Sequence, residues 1–84
     1  MDNVKCLLVD IDNVLISEVE EVPSEIGDPD CKLINPHEIW EGPNLCPWMM
    51  NDTDQTEFMI SSDKILTMCD PNSTLLEKYE EKTN

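Results

Sequence analysis

The spacing of apolar and polar residues changes character several times along the chain, and each change marks an element. Val4, Cys6, Leu7, Leu8, Val9 and Ile11 crowd one short run, which predicts a strand over residues 4–11. Asp12-Asn13 follows with turn chemistry, because both side chains can bond their own backbone and tolerate the left-handed region. In residues 14–22, Ile16, Val19 and Val22 interleave with Ser17, Glu18, Glu20 and Glu21, predicting a second strand buried at one end and wet at the other. Pro23, Gly27 and Pro29 make residues 23–30 a loop. A third strand is expected over residues 31–35, halted by Pro36, with residues 37–40 prolonging it beyond a kink. Residues 41–55 read as irregular.

The second half repeats the strand pattern in shorter pieces. Residues 57–60 and 64–69 predict two strands joined as a hairpin through Ser61-Ser62-Asp63. Asp70-Pro71-Asn72-Ser73 stops the sheet. Thr74 with Glu77 three residues later forms a capping box for a helix over residues 75–82, with Leu75, Leu76 and Tyr79 on its inner face. The expectation is a mostly β protein: five strands over about residues 4–70 in a small closed or nearly closed barrel, then a short C-terminal helix.

Length and charge narrow this picture. Eighty-four residues make one domain, 1–84, with a core small enough that self-association would help stabilise it. Nineteen Asp and Glu oppose five Lys, there is no Arg, and the net charge is −14. Such a surface repels phosphate backbones, so nucleic-acid binding would need a local basic spot or a bridging cation. The four cysteines, Cys6, Cys31, Cys46 and Cys69, form no Cys-x-x-Cys pair. With neither a secretion-type leader nor a membrane-length apolar run, the chain reads as a reduced cytosolic protein whose thiols are mostly buried.

Three groupings could carry chemistry. Asp10 and Asp12 end the first apolar run as an Asp-x-Asp pair, the arrangement that presents a nucleophilic carboxylate beside a general acid in aspartyl-phosphate enzymes. That chemistry needs a parallel scaffold with crossover helices, whereas here a second strand starts at once, so no catalytic residue is expected. Cys31, His37 and Cys46 hold zinc-type atoms, but gaps of six and nine residues match no standard ligand spacing, and no metal or cofactor is expected. Trp40, Cys46, Pro47, Trp48, Met49 and Met50 gather bulky apolar side chains in the irregular segment, as a lid on the core or as an interface anchor.

The order of elements, with two blocks of sequence, resembles the Sm-like proteins, in particular small ones associated with marine cyanophages. Asp30-Cys31-Lys32-Leu33-Ile34-Asn35-Pro36-His37-Glu38 is similar to the first Sm signature, a loop polar residue, an apolar strand and a glutamate. Met59-Ile60-Ser61-Ser62-Asp63-Lys64-Ile65-Leu66-Thr67-Met68 is similar to the second. The glycine usual in the second strand is absent, with Ser17 nearby, and the usual basic-glycine pair is represented by Asp63-Lys64 alone. The resemblance implies a strongly bent five-stranded Sm-like (SH3-like) barrel. It also implies head-to-tail assembly into a cyclic homo-oligomer, the fourth strand of one subunit pairing with the fifth of the next. Residues 57–60 and 64–69 would hold those places.

The resemblance further implies single-stranded RNA or DNA as a partner at two loops, whose matching positions are Asp30 and Lys32 in the first and Asp63 and Lys64 in the second. At −14 per copy that binding is expected to be weak and salt-sensitive. The functional expectation is therefore a non-enzymatic Sm-like ring protein with a role in nucleic-acid processing, in the cytoplasm (the host's, if phage-encoded). The alternative is an acidic protein-interaction module with no nucleic-acid role, and a phosphatase-like fragment is a more distant reading.

Overall fold

The computed structural model describes residues 3–10, 13–41 and 44–83. Strand β1 (Val4–Asp10) runs antiparallel to β2 (Asn13–Glu21), which runs antiparallel to β3 (Cys31–Ile39). Beyond β3 lie β4 (Leu45–Pro47) and β5 (Glu57–Ile60), and beyond β1 lies β6 (Thr67–Cys69). A 3-10 turn, Ser62–Lys64, separates β5 from β6, and helix α1 (Ser73–Thr83) closes the chain. Asn13 belongs to β2 and faces Asp10, whose carboxylate accepts a 2.9 Å bond from Asn13 Nδ2. Asp12 of the expected Asp12-Asn13 turn lies outside the described residues.

Asn35 and Pro36 organise the middle of the sheet. Asn35 has φ 53°, a left-handed value that bends the strand, and Pro36 has no N–H to give to a ladder. Pairing between β2 and β3 therefore slips: Glu18 faces Ile34 and Ile16 faces His37, so Ser17 alone stands opposite Asn35 and Pro36. Pro36 kinks β3 without ending it. The kink also divides the outer edge of β3, giving residues 31–34 to β5 and residues 37–39 to β4.

The backbone groups displaced by this bulge find side-chain partners. Ser17 is fully buried, and its Oγ lies 2.9 Å from the Glu18 carbonyl and 3.1 Å from that of Ile34. Tyr79, reaching in from α1, is 1% exposed. Its hydroxyl accepts from the Glu18 N–H at 3.1 Å and faces the Ile34 and Asn35 carbonyls at 3.0 and 3.1 Å. Burial raises the phenol pKa, so the hydroxyl stays a neutral donor. His37 is also buried; a carbonyl can only accept, so its Nδ1 donates to Asn35 O at 2.9 Å while the ring meets Tyr79 edge-on.

Two apolar clusters form on opposite sides of the bent sheet. Under α1, Val4, Ile16, Leu45 and Tyr79 pack with Ile39, Leu75 and Leu76. On the other face Leu7, Leu15 and Leu33 pack with Val9, Val19, Trp48, Phe58, Ile60 and Ile65. This two-sided burial explains why the first apolar run has no clean alternation. The helix starts two residues earlier than Thr74 suggested: Asn72 Oδ1 accepts the Leu75 N–H at 2.8 Å, so Asn72 is the cap and the Thr74–Glu77 box is not used.

The mostly β architecture with a C-terminal helix is as expected, but the closed or nearly closed five-stranded barrel and its terminal hairpin are both corrected. The described strands form an open antiparallel sheet of six, in the order β4-β3-β2-β1-β6, with β5 also on β3. The 3-10 turn, with Lys64 N–H bonding Ser61 O and Ile65 N–H bonding Ser62 O, takes up the start of the expected last strand. That strand begins at Thr67 and turns away to β1, so β5 and β6 sit at opposite ends of the sheet instead of pairing. Strand β4, inside the segment read as irregular, is the sixth.

Removing the buried hydroxyl in Tyr79→Phe takes the side-chain partner from the Glu18 N–H and one of two contacts from the Ile34 and Asn35 carbonyls, which keep Ser17 Oγ and His37 Nδ1, an expected loss of about 1–3 kcal/mol. Asn72→Ala removes the helix cap and is expected to cost about 1 kcal/mol. Urea titration followed by far-UV circular dichroism reads both; an unchanged midpoint in Tyr79→Phe would show that the hydroxyl does not support the bulge.

Candidate functional site

The two loops singled out in the sequence meet in space through one carboxylate. Asp30, at the end of the loop before β3, accepts the Ser62 N–H at 2.7 Å and the Ser62 hydroxyl at 2.8 Å. These two bonds hold its pKa below the ordinary aspartate value. Ser62 opens the 3-10 turn that carries Asp63 and Lys64, so Asp30 clips that turn against the end of the first loop. The loop is itself held at its base by Val22 N–H bonding Asp30 O at 3.0 Å, and its tip turns at Gly27, with φ 94°.

Between loop and turn lies a cavity of about 260 Å³ lined by Glu25, Asp28, Asp30 and Asp63, with Ile26, Gly27 and serine hydroxyls. Four carboxylates and no lysine line it, so an anion placed there meets repulsion from every side. Among the described residues no group of three or more His, Cys, Asp and Glu is arranged to hold a metal ion.

The four predicted site residues are therefore brought together only in part. Asp30 and Asp63 share the cavity wall. Lys32, on β3, is turned to Glu57 on β5 at 3.0 Å, and that contact, with Glu20 further off, raises its pKa. This pair ties two strands together and neutralises the cation. Lys64 is exposed, and among the described residues it forms no ion pair. It is the one cation of the four residues with its charge available.

The other sequence candidates separate. Asp12 of the Asp-x-Asp pair lies outside the described residues. His37 bonds Asn35 O and meets Tyr79 edge-on. Of the cysteines only Cys31 is buried; Cys6 and Cys46 are half-buried and Cys69 is exposed, so the expectation of mostly buried thiols is corrected. The two tryptophans part company as well. Trp48 packs on Phe58 at 5.4 Å within the core, whereas Trp40 is 63% exposed and shares a surface hollow with Met49 and Met50.

With the geometry in view, comparison with known proteins places the chain. It belongs to DUF6561, a family of unknown function. The family model covers residues 2–84, nearly the whole chain. No curated protein matches it. No helix among the described residues is long and apolar enough to cross a membrane.

The residues that sequence reasoning missed are structural partners of the site: Ser62, which receives Asp30, and Glu57, which takes Lys32. Asp30 followed by a strand and a distant Ser-Ser-Asp offers no local signal that they bond across 32 positions. Because its folded pKa is lowered, Asp30 supports the fold fully above its unfolded value and loses that contribution as pH falls through the lowered one. An NMR titration of the Asp30 carboxyl carbon is expected to give a midpoint below that of an ordinary aspartate, rising only part of the way back in Ser62→Ala, which removes the hydroxyl and keeps the N–H. A normal midpoint in the native chain would show that the clip does not form.

Proposed function

We propose that this protein is a non-enzymatic assembly module, a divergent Sm-like domain that closes into a ring by pairing β5 of one copy with β6 of the next. The observation that carries the reading is the placement of these strands. Among the described residues β5 pairs only with β3, and β6 only with β1, so each presents an outer edge to solvent. The two edges differ, as a head-to-tail interface requires, and repeated pairing closes a ring when the rotation between copies allows it. Their order in the chain matches the fourth and fifth strands of Sm-like subunits, β4 being a short addition. Both edges bear exposed apolar side chains: Met59 on β5, and Leu66 and Met68 at β6. Unguarded apolar edges invite uncontrolled pairing, and a closed ring satisfies them.

Within that ring, contact with single-stranded RNA or DNA belongs at the turn bearing Lys64, beside Asp30 and Asp63. Lys32 is already occupied by Glu57, and the carboxylates of the neighbouring cavity oppose phosphate. Binding is therefore weak and confined to low salt. A second reading, a protein-interaction module without a nucleic-acid role, is favoured by the exposed Trp40, Met49 and Met50 at the opposite end of β3.

Equilibrium sedimentation is expected to give a single cyclic oligomer, and Met59→Asp with Met68→Asp to shift it to monomer while the circular dichroism spectrum is kept. A native chain that is monomeric at micromolar concentration would overturn the ring. For nucleic acid, fluorescence anisotropy with single-stranded RNA at low ionic strength is expected to lose its signal in Lys64→Glu. If native chain and variant bind alike, or neither binds, the protein-interaction reading takes its place.

A further inference from the structure

We propose that Cys6 and Cys69 are a disulfide-forming pair that fastens β6 to the sheet when the surroundings become oxidising. The pair rests on register. Cys6 on β1 and Cys69 on β6 are directly opposed across an antiparallel ladder, in the series Cys6–Cys69, Leu7–Met68, Leu8–Thr67. Directly opposed residues project to the same face, and their Cα atoms are separated by about 4.5 or 5.5 Å depending on their place in the ladder. Both values lie inside the window of about 4.4–6.8 Å that a disulfide spans without moving the backbone. Lys5 and Asp70, the neighbours of the two cysteines, form an ion pair at 2.5 Å that holds the strands in this alignment. Cys31 and Cys46 have no such opposition: they face Ile60 and Glu38.

The two thiols have different surroundings, which orders the chemistry. Cys69 is exposed and meets an oxidant first. Cys6 is half-buried; burial, followed by the adjacent Cys69, pushes its pKa up to about 11. It is therefore the resolving thiol. The oxidant is a low-molecular-weight disulfide of the glutathione type. The Cys69 thiolate attacks one of its sulfurs, forming a mixed disulfide and releasing one small thiolate. Cys6 then gives its proton to water or to the departing thiolate and attacks the Cys69 sulfur, expelling the second. The protein gives up two electrons and two protons, and the small disulfide becomes two thiols.

The bond matters because β6 is weakly held. It has three residues, all exposed, and one neighbour. Linking residues 6 and 69 encloses most of the chain in one covalent loop, which restricts the unfolded state strongly. The proposal does not depend on ring formation, since it concerns the inner pairing of β6 rather than its outer edge.

The full chain equilibrated with glutathione redox buffers, alkylated and mapped by mass spectrometry should yield one linked peptide pair, Cys6 with Cys69. Cys31 and Cys46 should remain alkylated. Oxidation should raise the Tm by on the order of 10 °C. In Cys6→Ser the reaction should stop at a glutathione adduct on Cys69, with no rise in Tm. A native chain that stops at the same adduct, links Cys31 or Cys46, or does not react would overturn the pairing.

Discussion

The mismatch between β2 and β3 is the constraint on which the rest of this molecule depends. One residue, Ser17, is set against two, Asn35 and Pro36, and the backbone groups left over are buried. A buried carbonyl or N–H without a partner costs more than most single contacts return, so the bulge exists only because the Ser17 hydroxyl and the Tyr79 phenol reach it. Tyr79 comes from the last helix, some sixty residues from Glu18. The C-terminal helix is thus part of the sheet's hydrogen bonding as well as the cover of one apolar cluster.

From that bend follow the features that bear on function. Because β3 changes direction at Asn35, its outer edge accepts two short strands in place of one long one. Strand β5 takes one part, and the 3-10 turn then crosses to the far end of the sheet, where β6 pairs with β1. The ends of the sheet are left with different strands and different exposed side chains, which is the geometry a head-to-tail contact uses. Asp30 fixes the crossing point by holding Ser62. The clip and the bulge together set where the outer edges of β5 and β6 lie, and in the proposed ring an 84-residue chain with two small cores would gain apolar burial by joining them.

Much of this was legible from residue pattern alone, for local reasons. The first three strands, the short strand at 57–60 and the helix each have a dense apolar run or a Pro and Asp boundary that acts within a few positions. Proline removes a ladder donor, which is why Pro36 suggests a halt with residues 37–40 prolonging the strand beyond a kink; β3 does continue, since Trp48 N–H and the tyrosine network serve the neighbouring carbonyls. Strand β4 was hidden because Leu45, Cys46 and Pro47 become a strand only by pairing with residues 37–39. The helix cap moved from Thr74 to Asn72 because Asn72 also had the geometry to accept. Of the site, the proximity of the Asp30 and Asp63 loops was legible from the resemblance, while the capture of Lys32 by Glu57 was not. A salt bridge between adjacent strands is decided by register, which sequence spacing does not reveal.

In the proposed ring the outer edges of β5 and β6 find each other in neighbouring copies. Amide hydrogen exchange measured across a dilution series addresses this strand by strand. Amides in Glu57–Ile60 and Thr67–Cys69 are expected to gain protection as concentration rises, while those of β1 and β2 stay constant. Exchange in β5 and β6 that is rapid and independent of concentration would contradict it.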